Sequence, residues 1–292
     1  MRGSLSSMSD GELILVAAAL LAAGIGASLL ASRVRLPGKR TALLGIDREA
    51  ECIANKAAAQ LGIAPKVAAM LTEPSALVTA FVSGREMRAD ELREPETIAE
   101  VAHDLRSLHD SGTELPTGFD SFRLVEQYAE TGRANGSEPP AGYDEALEAA
   151  HKIERAVRDQ PGHEPVPAHN DLLPANFLRD GDRMQLIDWE YAGMGDRWFD
   201  LGNFAVNNEL EDDQGDQLLE AYFGEAPDDR KRATLKLFRF MSDFREGMWG
   251  VVQAGVSELD FDFRDYAQKH FDRLEKARTD PRFKGWIEEA RS

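Results

Sequence analysis

The chain has 292 residues, 42% hydrophobic and 29% charged, with a formal net charge of -18, the make-up of a soluble globular protein with room for one large domain or two lobes. Such acidity repels phosphate backbones and anionic lipid, which excludes nucleic acid as a partner, and it attracts small cations. The single cysteine, Cys52, rules out an internal disulfide and suits a reducing, cytoplasmic setting.

Leu13 to Ser32 carries no charge and is long enough to span a membrane. Arg33, Arg35, Lys39 and Arg40 follow and would hold that end in the cytoplasm. The alternative is a buried helix, or strand plus helix, packed on the domain that follows. Membrane contact is expected only through residues 13–32. Gly24-Ile25-Gly26 matches part of a dinucleotide fingerprint, but Leu29 stands at the third glycine position. Arg33–Leu36 is expected as a short strand closed by Pro37-Gly38, and Asp47–Leu61 as a helix with Asp47 at its N-cap and Cys52 as a small buried group. Ala76–Val82 has strand composition. Helices are expected over Pro95–Asp110, Phe122–Gly132 and Tyr143–Asp159, with His109 structural at the end of the first and a loop over Asn135–Gly142. Phe177–Leu178 and Met184–Ile187 flank Asp180-Gly181, a hairpin signal. From Trp198 onward the periodicity is helical. The layout is α+β: an apolar segment 1–32, a small mixed lobe 33–83 and a large helical lobe 84–292 with an embedded hairpin, joined near Gly84.

One string carries chemistry: His169-Asn170-Asp171, then Asn176, then the hairpin and Asp188-Trp189-Glu190. Phosphoryl transfer needs a carboxylate beside the attacking hydroxyl and oxygen ligands that hold Mg²⁺ against the phosphates. His169, Asp171 and Asn176 fit the H-x-D-x-x-x-x-N spacing of a kinase catalytic loop, and Asp188 follows as the metal-binding Asp should. An antiparallel hairpin returns its two ends to one place, so Asn176 and Asp188 can share one ion. The plainer alternative is a capped turn with a structural hydrogen bond from Asp188.

HNDLLPANF followed by LIDWEYAGMGDRWFDLGNFAVNNE resembles the choline/ethanolamine kinase branch of the aminoglycoside-phosphotransferase-like family, from about Arg33 to Phe271. The resemblance implies a two-lobed protein-kinase-like fold and ATP with Mg²⁺ as cofactors. It implies Asp171 as catalytic base, His169 as a residue of the catalytic loop, Asn176 and Asp188 as metal ligands, and Asp200 as a structural brace. RVRLPGK with IDREAE implies Arg35 as a phosphate-contacting residue and Glu51, or else Glu49, as its partner on the helix. Family members carry a Gly- and Asn/Thr-rich phosphate-covering hairpin just before that strand, where this chain has the apolar stretch. A non-catalytic kinase-like binding protein is the alternative that this departure raises.

A hydroxyl-bearing ammonium acceptor calls for aromatic faces and carboxylates. Trp249 and Tyr266 are the expected cage residues, Glu246 and Glu190 the carboxylates, and Trp198 a weaker aromatic candidate. Choline kinases often read Trp-Gly-Leu-Trp where this chain reads Trp249-Gly250-Val251-Val252, so the second cage tryptophan is expected to be missing at Val252. The expected partner is a small cationic molecule with a hydroxyl. An aminoglycoside- or sugar-directed phosphotransferase on the same fold is the other reading.

Overall fold

The structure is a computed structural model and describes residues 33–35, 41–72, 75–158 and 160–292. The apolar stretch 13–32, with its glycine pair, lies outside the described residues, as do the loop at Pro37-Gly38 and the basic pair Lys39-Arg40. Among the described residues no helix is long and apolar enough to cross a membrane.

The small lobe opens with β1 (Arg33–Arg35), followed by helix α1 (Arg48–Gln60). Asp47 caps α1 as its composition predicts, accepting from the Glu49 and Ala50 amides. Strand β2 (Val67–Thr72) was not expected, because VAAMLT has little β-branched character. It is a strand because it pairs antiparallel with β3 (Ser75–Thr79), which also takes β1 on its other side. The strand expected to run to Val82 ends at Thr79, and the chain then crosses to β4 (Arg85–Glu86).

The crossing explains Gly84. A β-carbon there would lie 2.3 Å from the Arg179 carbonyl oxygen, so only glycine lets the connection pass. Strand β4 then pairs with β6 (Phe177–Asp180), and β6 forms the expected hairpin with β7 (Arg183–Leu186). The junction between the lobes is thus fastened to the hairpin that separates Asn176 from Asp188.

The large lobe contains α2 (Pro95–His109), α3 (Ser121–Ala134), α4 (Tyr143–Val157), α5 (Arg197–Asn207), α6 (Asp212–Phe223), α7 (Asp229–Val256), α8 (Phe263–Arg278) and α9 (Phe283–Glu289). Two short strands, β5 (Val166–Ala168) and β8 (Gly193–Gly195), pair across the catalytic loop. Helix α7 is the axis. Phe238, Phe240, Met241, Phe244, Met248 and Val252 are all buried on it, each worth about 1.5–3 kcal/mol of burial. The same helix buries Asp243, Arg245 and Glu246. Charges on a helix that is otherwise core are costly unless paired, and all three are: Arg245 with Glu246, and Asp243 with His270 and Arg273. Helix α5 crosses α7 at Gly202, where a β-carbon would meet the Phe238 backbone at 2.5 Å. That close approach brings Asp200 and Asn203 beneath the catalytic loop.

Candidate active site

The loop from His169 to Asn176 is held by buried side chains of α5 and α7. Asp200 on α5 accepts the His169 amide at 2.9 Å and the Asn170 amide at 2.7 Å, one on each carboxylate oxygen. Asn203, one turn on, accepts the Leu172 amide at 2.5 Å and donates to Ser242 of α7 at 2.9 Å. Asn170 adopts a left-handed conformation with φ 66°, which asparagine tolerates better than most residues. This turn aims Asp171 away from the brace.

His169 is wholly buried. Its Nε2 faces the Ile187 carbonyl at 3.1 Å and its Nδ1 faces the Asp171 amide at 3.2 Å. A carbonyl can only accept and an amide can only donate, so the imidazole is neutral with its proton on Nε2. Burial holds its pKa below the ordinary value, against the pull of Asp200. The ring ties Asp171 to the residue before Asp188, and the Ile187 amide returns to the Asn176 carbonyl at 2.9 Å. The hairpin therefore closes as its spacing predicts, and Asp188 stands beside it with φ 71°. A non-glycine residue held there stores strain of the kind found at functional sites.

Asp171 is 6% exposed. Burial pushes its carboxyl up to about 8; Arg245 opposes the shift, and Glu246, Asp188 and Glu190 add to it. The Asn176 Nδ2 donates to the Asp171 carbonyl at 2.8 Å and to its Oδ2 at 3.1 Å. That orientation makes the amide oxygen of Asn176 its donor atom for a cation. Among the described residues no group of three His, Cys, Asp or Glu could hold a metal. An ion held by Asn176 and Asp188 would complete its shell with phosphate and water oxygens. That is how Mg²⁺ binds in phosphate sites, and the residues fit it.

The small lobe reaches the same place. Glu51, Leu77 and Thr79 line a cavity of about 50 Å³ with Ile187, Asp188 and Trp189. Of the two candidates on the helix, Glu51 is buried and Glu49 exposed. Glu51 pairs with Arg48 one turn before it. The side chain of Arg35 lies outside what is described.

On the other side of Asp171 stands a cluster that the sequence indicated only in part. Arg245 is 1% exposed. It donates to the Glu246 Oε1 at 2.5 Å and to the Asn170 carbonyl at 2.5 Å, and comes within 3.7 Å of the Asp171 carboxylate. Its guanidinium lies 4.7 Å from the centre of the Tyr191 ring. The hydroxyl of Tyr266 donates to the other Glu246 oxygen at 2.9 Å, and the Trp249 indole donates to the Tyr191 hydroxyl at 2.8 Å. The rings of Trp249 and Tyr266 meet edge to face at 5.7 Å, with Phe261 and Phe263 against them.

The structure thus brings Glu246, Trp249 and Tyr266 together as expected, with Glu190 half-buried beside Tyr191. It corrects one expectation. Trp198 is not part of this cluster; it packs on Phe223 and His163. At the place of the expected second cage tryptophan, Val252 is fully buried in the core and offers no aromatic face. The residue one turn before Trp249 that borders the cage is Glu246. Tyr191 and Arg245 carry no motif signal of their own, and only their places next to Glu190 and Glu246 in the chain point to them. Beyond Glu190 and Tyr191 opens a cavity of about 550 Å³, which also reaches Arg123, Glu154, His163 and Asp196.

The family model described as the phosphotransferase enzyme family, APH, matches residues 33–235. Protein LicA of Haemophilus influenzae is 26% identical over 238 residues, which span 78% of this chain and 86% of LicA. Ethanolamine kinase 2 of Mus musculus is 29% identical over 273 residues, 84% of this chain and 69% of that protein. A choline/ethanolamine kinase family protein from Mesorhizobium loti superposes with a TM-score of 0.82 at 29% identity, covering 97% of this chain and 99% of that one. An aminoglycoside 2'-phosphotransferase shares the fold at a TM-score of 0.56 and 14% identity, covering 94% of this chain and 99% of that one. The expected two-lobed kinase-like α+β fold is borne out.

Proposed function

We propose, from the premise that this chain belongs to the phosphotransferase enzyme family, that it transfers the γ-phosphoryl group of Mg-ATP to the hydroxyl of a small amino alcohol. The observation that carries this reading is the link from Asp171, through the buried Arg245, to a carboxylate walled by aromatic rings. A base, a cation-binding carboxylate and π faces lie within one small space. The names of the relatives, choline and ethanolamine kinases among them, support an acceptor of this kind.

Asp171 orients the acceptor hydroxyl and takes its proton. As the hydroxyl oxygen bonds to the γ-phosphorus, the bond from that phosphorus to the β–γ bridging oxygen breaks and ADP leaves. A carboxyl lifted toward neutrality by burial is a stronger base once ionised than an exposed one. Asn176 and Asp188 would hold Mg²⁺, which supplies charge neutralisation to the phosphate oxygens when bound. Arg35 and Glu51 serve the nucleotide side. Asp200 and His169 keep the loop in register. Glu246 and Glu190 draw the ammonium of the acceptor while Trp249 and Tyr266 offer it ring faces.

The test is turnover by the purified chain with ATP, Mg²⁺ and a panel of acceptors. Phosphorylation of ethanolamine or choline, with none of aminoglycosides, is expected. Absence of turnover on every amino alcohol overturns the reading. The 550 Å³ cavity beside Glu190 and Tyr191 exceeds what ethanolamine needs and favours a second reading, an aminoglycoside or sugar acceptor, which the same panel decides.

A further inference from the structure

Arg245 takes no part in the transfer step itself, yet it is a buried charge, 1% exposed, that stands between the base and the acceptor carboxylate. A fully buried guanidinium is costly unless each contact is well made. Its contacts define its task. One terminal nitrogen holds Glu246 Oε1 at 2.5 Å, and the other holds the Asn170 carbonyl at 2.5 Å and stands 3.7 Å from Asp171 Oδ1. Tyr266 fixes the second oxygen of Glu246 at 2.9 Å. The flat face of the guanidinium is set against the Tyr191 ring at 4.7 Å and the Phe119 ring at 5.8 Å. A planar fork with both ends engaged cannot rotate as a lysine would.

We propose that Arg245 is a positioning residue that sets the spacing between the base and the acceptor carboxylate, and so selects acceptors whose cation lies two carbons from the hydroxyl. The proposal rests on the amino-alcohol reading above. One rigid guanidinium holds Glu246 at 2.5 Å and stands within ion-pair range of Asp171 at 3.7 Å, so the nearest oxygens of the two carboxylates are no more than about 8.5 Å apart. An extended 2-aminoethanol with a hydrogen bond at each end spans about 9 Å. Its full reach already exceeds that upper limit, so even the two-carbon acceptor binds bent. Each further methylene adds about 1.3 Å and must be folded against buried walls.

The experiment compares kcat/KM for 2-aminoethanol, 3-aminopropan-1-ol and 4-aminobutan-1-ol. The native chain is expected to lose about tenfold or more per added methylene, the usual worth of one methylene in a fitted pocket. Arg245→Lys keeps the charge and loses the fork, and Arg245→Met loses both. Each should cut the two-carbon rate and flatten the series to within about threefold. Unfolding curves are recorded for each variant; if Arg245→Met does not fold, Arg245→Lys and Glu246→Gln carry the comparison with the same expectation. A merely structural role would lower all three acceptors alike, so an unchanged length ratio in folded variants overturns the proposal. Equal turnover of all three lengths by the native chain overturns it while leaving the amino-alcohol reading intact. No turnover of any of them overturns both.

Discussion

The carboxylate of Asp200 and the imidazole of His109 meet at 3.1 Å in the interior, both fully shielded, ninety-one residues apart in sequence. The other ring nitrogen of His109 lies 2.6 Å from the Tyr222 hydroxyl. This pair backs the two hydrogen bonds by which Asp200 holds the catalytic loop. Burial alone would raise the Asp200 carboxyl; the hydrogen bond and charge of His109, with the backbone amide of His169, hold it below the ordinary carboxylate value.

The sign of the consequence follows. A carboxyl with a depressed folded-state pKa contributes stability that is fully present above its unfolded value, near 4 as an order of magnitude. That contribution is lost as pH falls through the lower folded value. His109→Ala should therefore cost about 3 kcal/mol at pH 7, with the gap to the native chain narrowing below about pH 4. Urea unfolding across pH 3–8 measures it; a gap independent of pH refutes the coupling.

Asp171 behaves in the opposite sense. Its carboxyl is raised by burial to about 8, so the fold loses stability as pH rises from the unfolded value to that point, because there the unfolded chain releases a proton that the folded one keeps. Asp171→Asn removes the cost and retains the shape. The variant should lose turnover about 10³-fold and gain about 1–3 kcal/mol of stability at neutral pH without nucleotide, a gain that vanishes toward pH 4. Thermal melts and a rate assay on one preparation read both effects. A variant that is less stable at pH 7 would contradict the burial argument.

The same shift shapes the rate profile. The base must be ionised to accept the hydroxyl proton, so kcat/KM should fall on the acid side with an apparent pKa above the ordinary carboxylate value, toward about 8. Glu246 is one of the charges that raise it. Glu246→Gln should move the acid limb to lower pH while weakening acceptor binding. A limb that stays in place, or moves up, argues against Asp171 as the titrating group.

Asn176 and Asp188 are expected to act together on the metal. Asp188→Ala should raise the Mg²⁺ concentration for half-maximal rate by about tenfold or more, and Asn176→Ala by less, because a charged ligand is exchanged for a neutral oxygen in the first case only. Titration of rate against Mg²⁺ at fixed ATP checks this. Native Mg²⁺ dependence in both variants would remove them from the metal site.

The sequence by itself determined the features that are local. Helix α1 with its Asp47 cap, the long apolar periodicity of α7, and the β6–β7 hairpin follow from spacing and turn chemistry within a few residues. With the hairpin came the proximity of Asn176 and Asp188, since an antiparallel pair must return its ends together. Only the tertiary structure decided what depends on segments far apart. Strand β2 exists through its pairing with β3, despite weak intrinsic preference. Gly84 and Gly202 are glycines because of what packs against them. Trp198 packs on Phe223 and His163, away from Trp249 and Tyr266, because α5 and not α7 carries it. The union of Arg245 with Asn170, Asp171, Tyr191 and Glu246 joins the catalytic loop and the Glu190–Tyr191 segment to α7, and no periodicity announces it. The physical reason is that propensity and spacing act over a turn or two, whereas the position of a buried charge is set by partners that only the complete packing brings within hydrogen-bond reach.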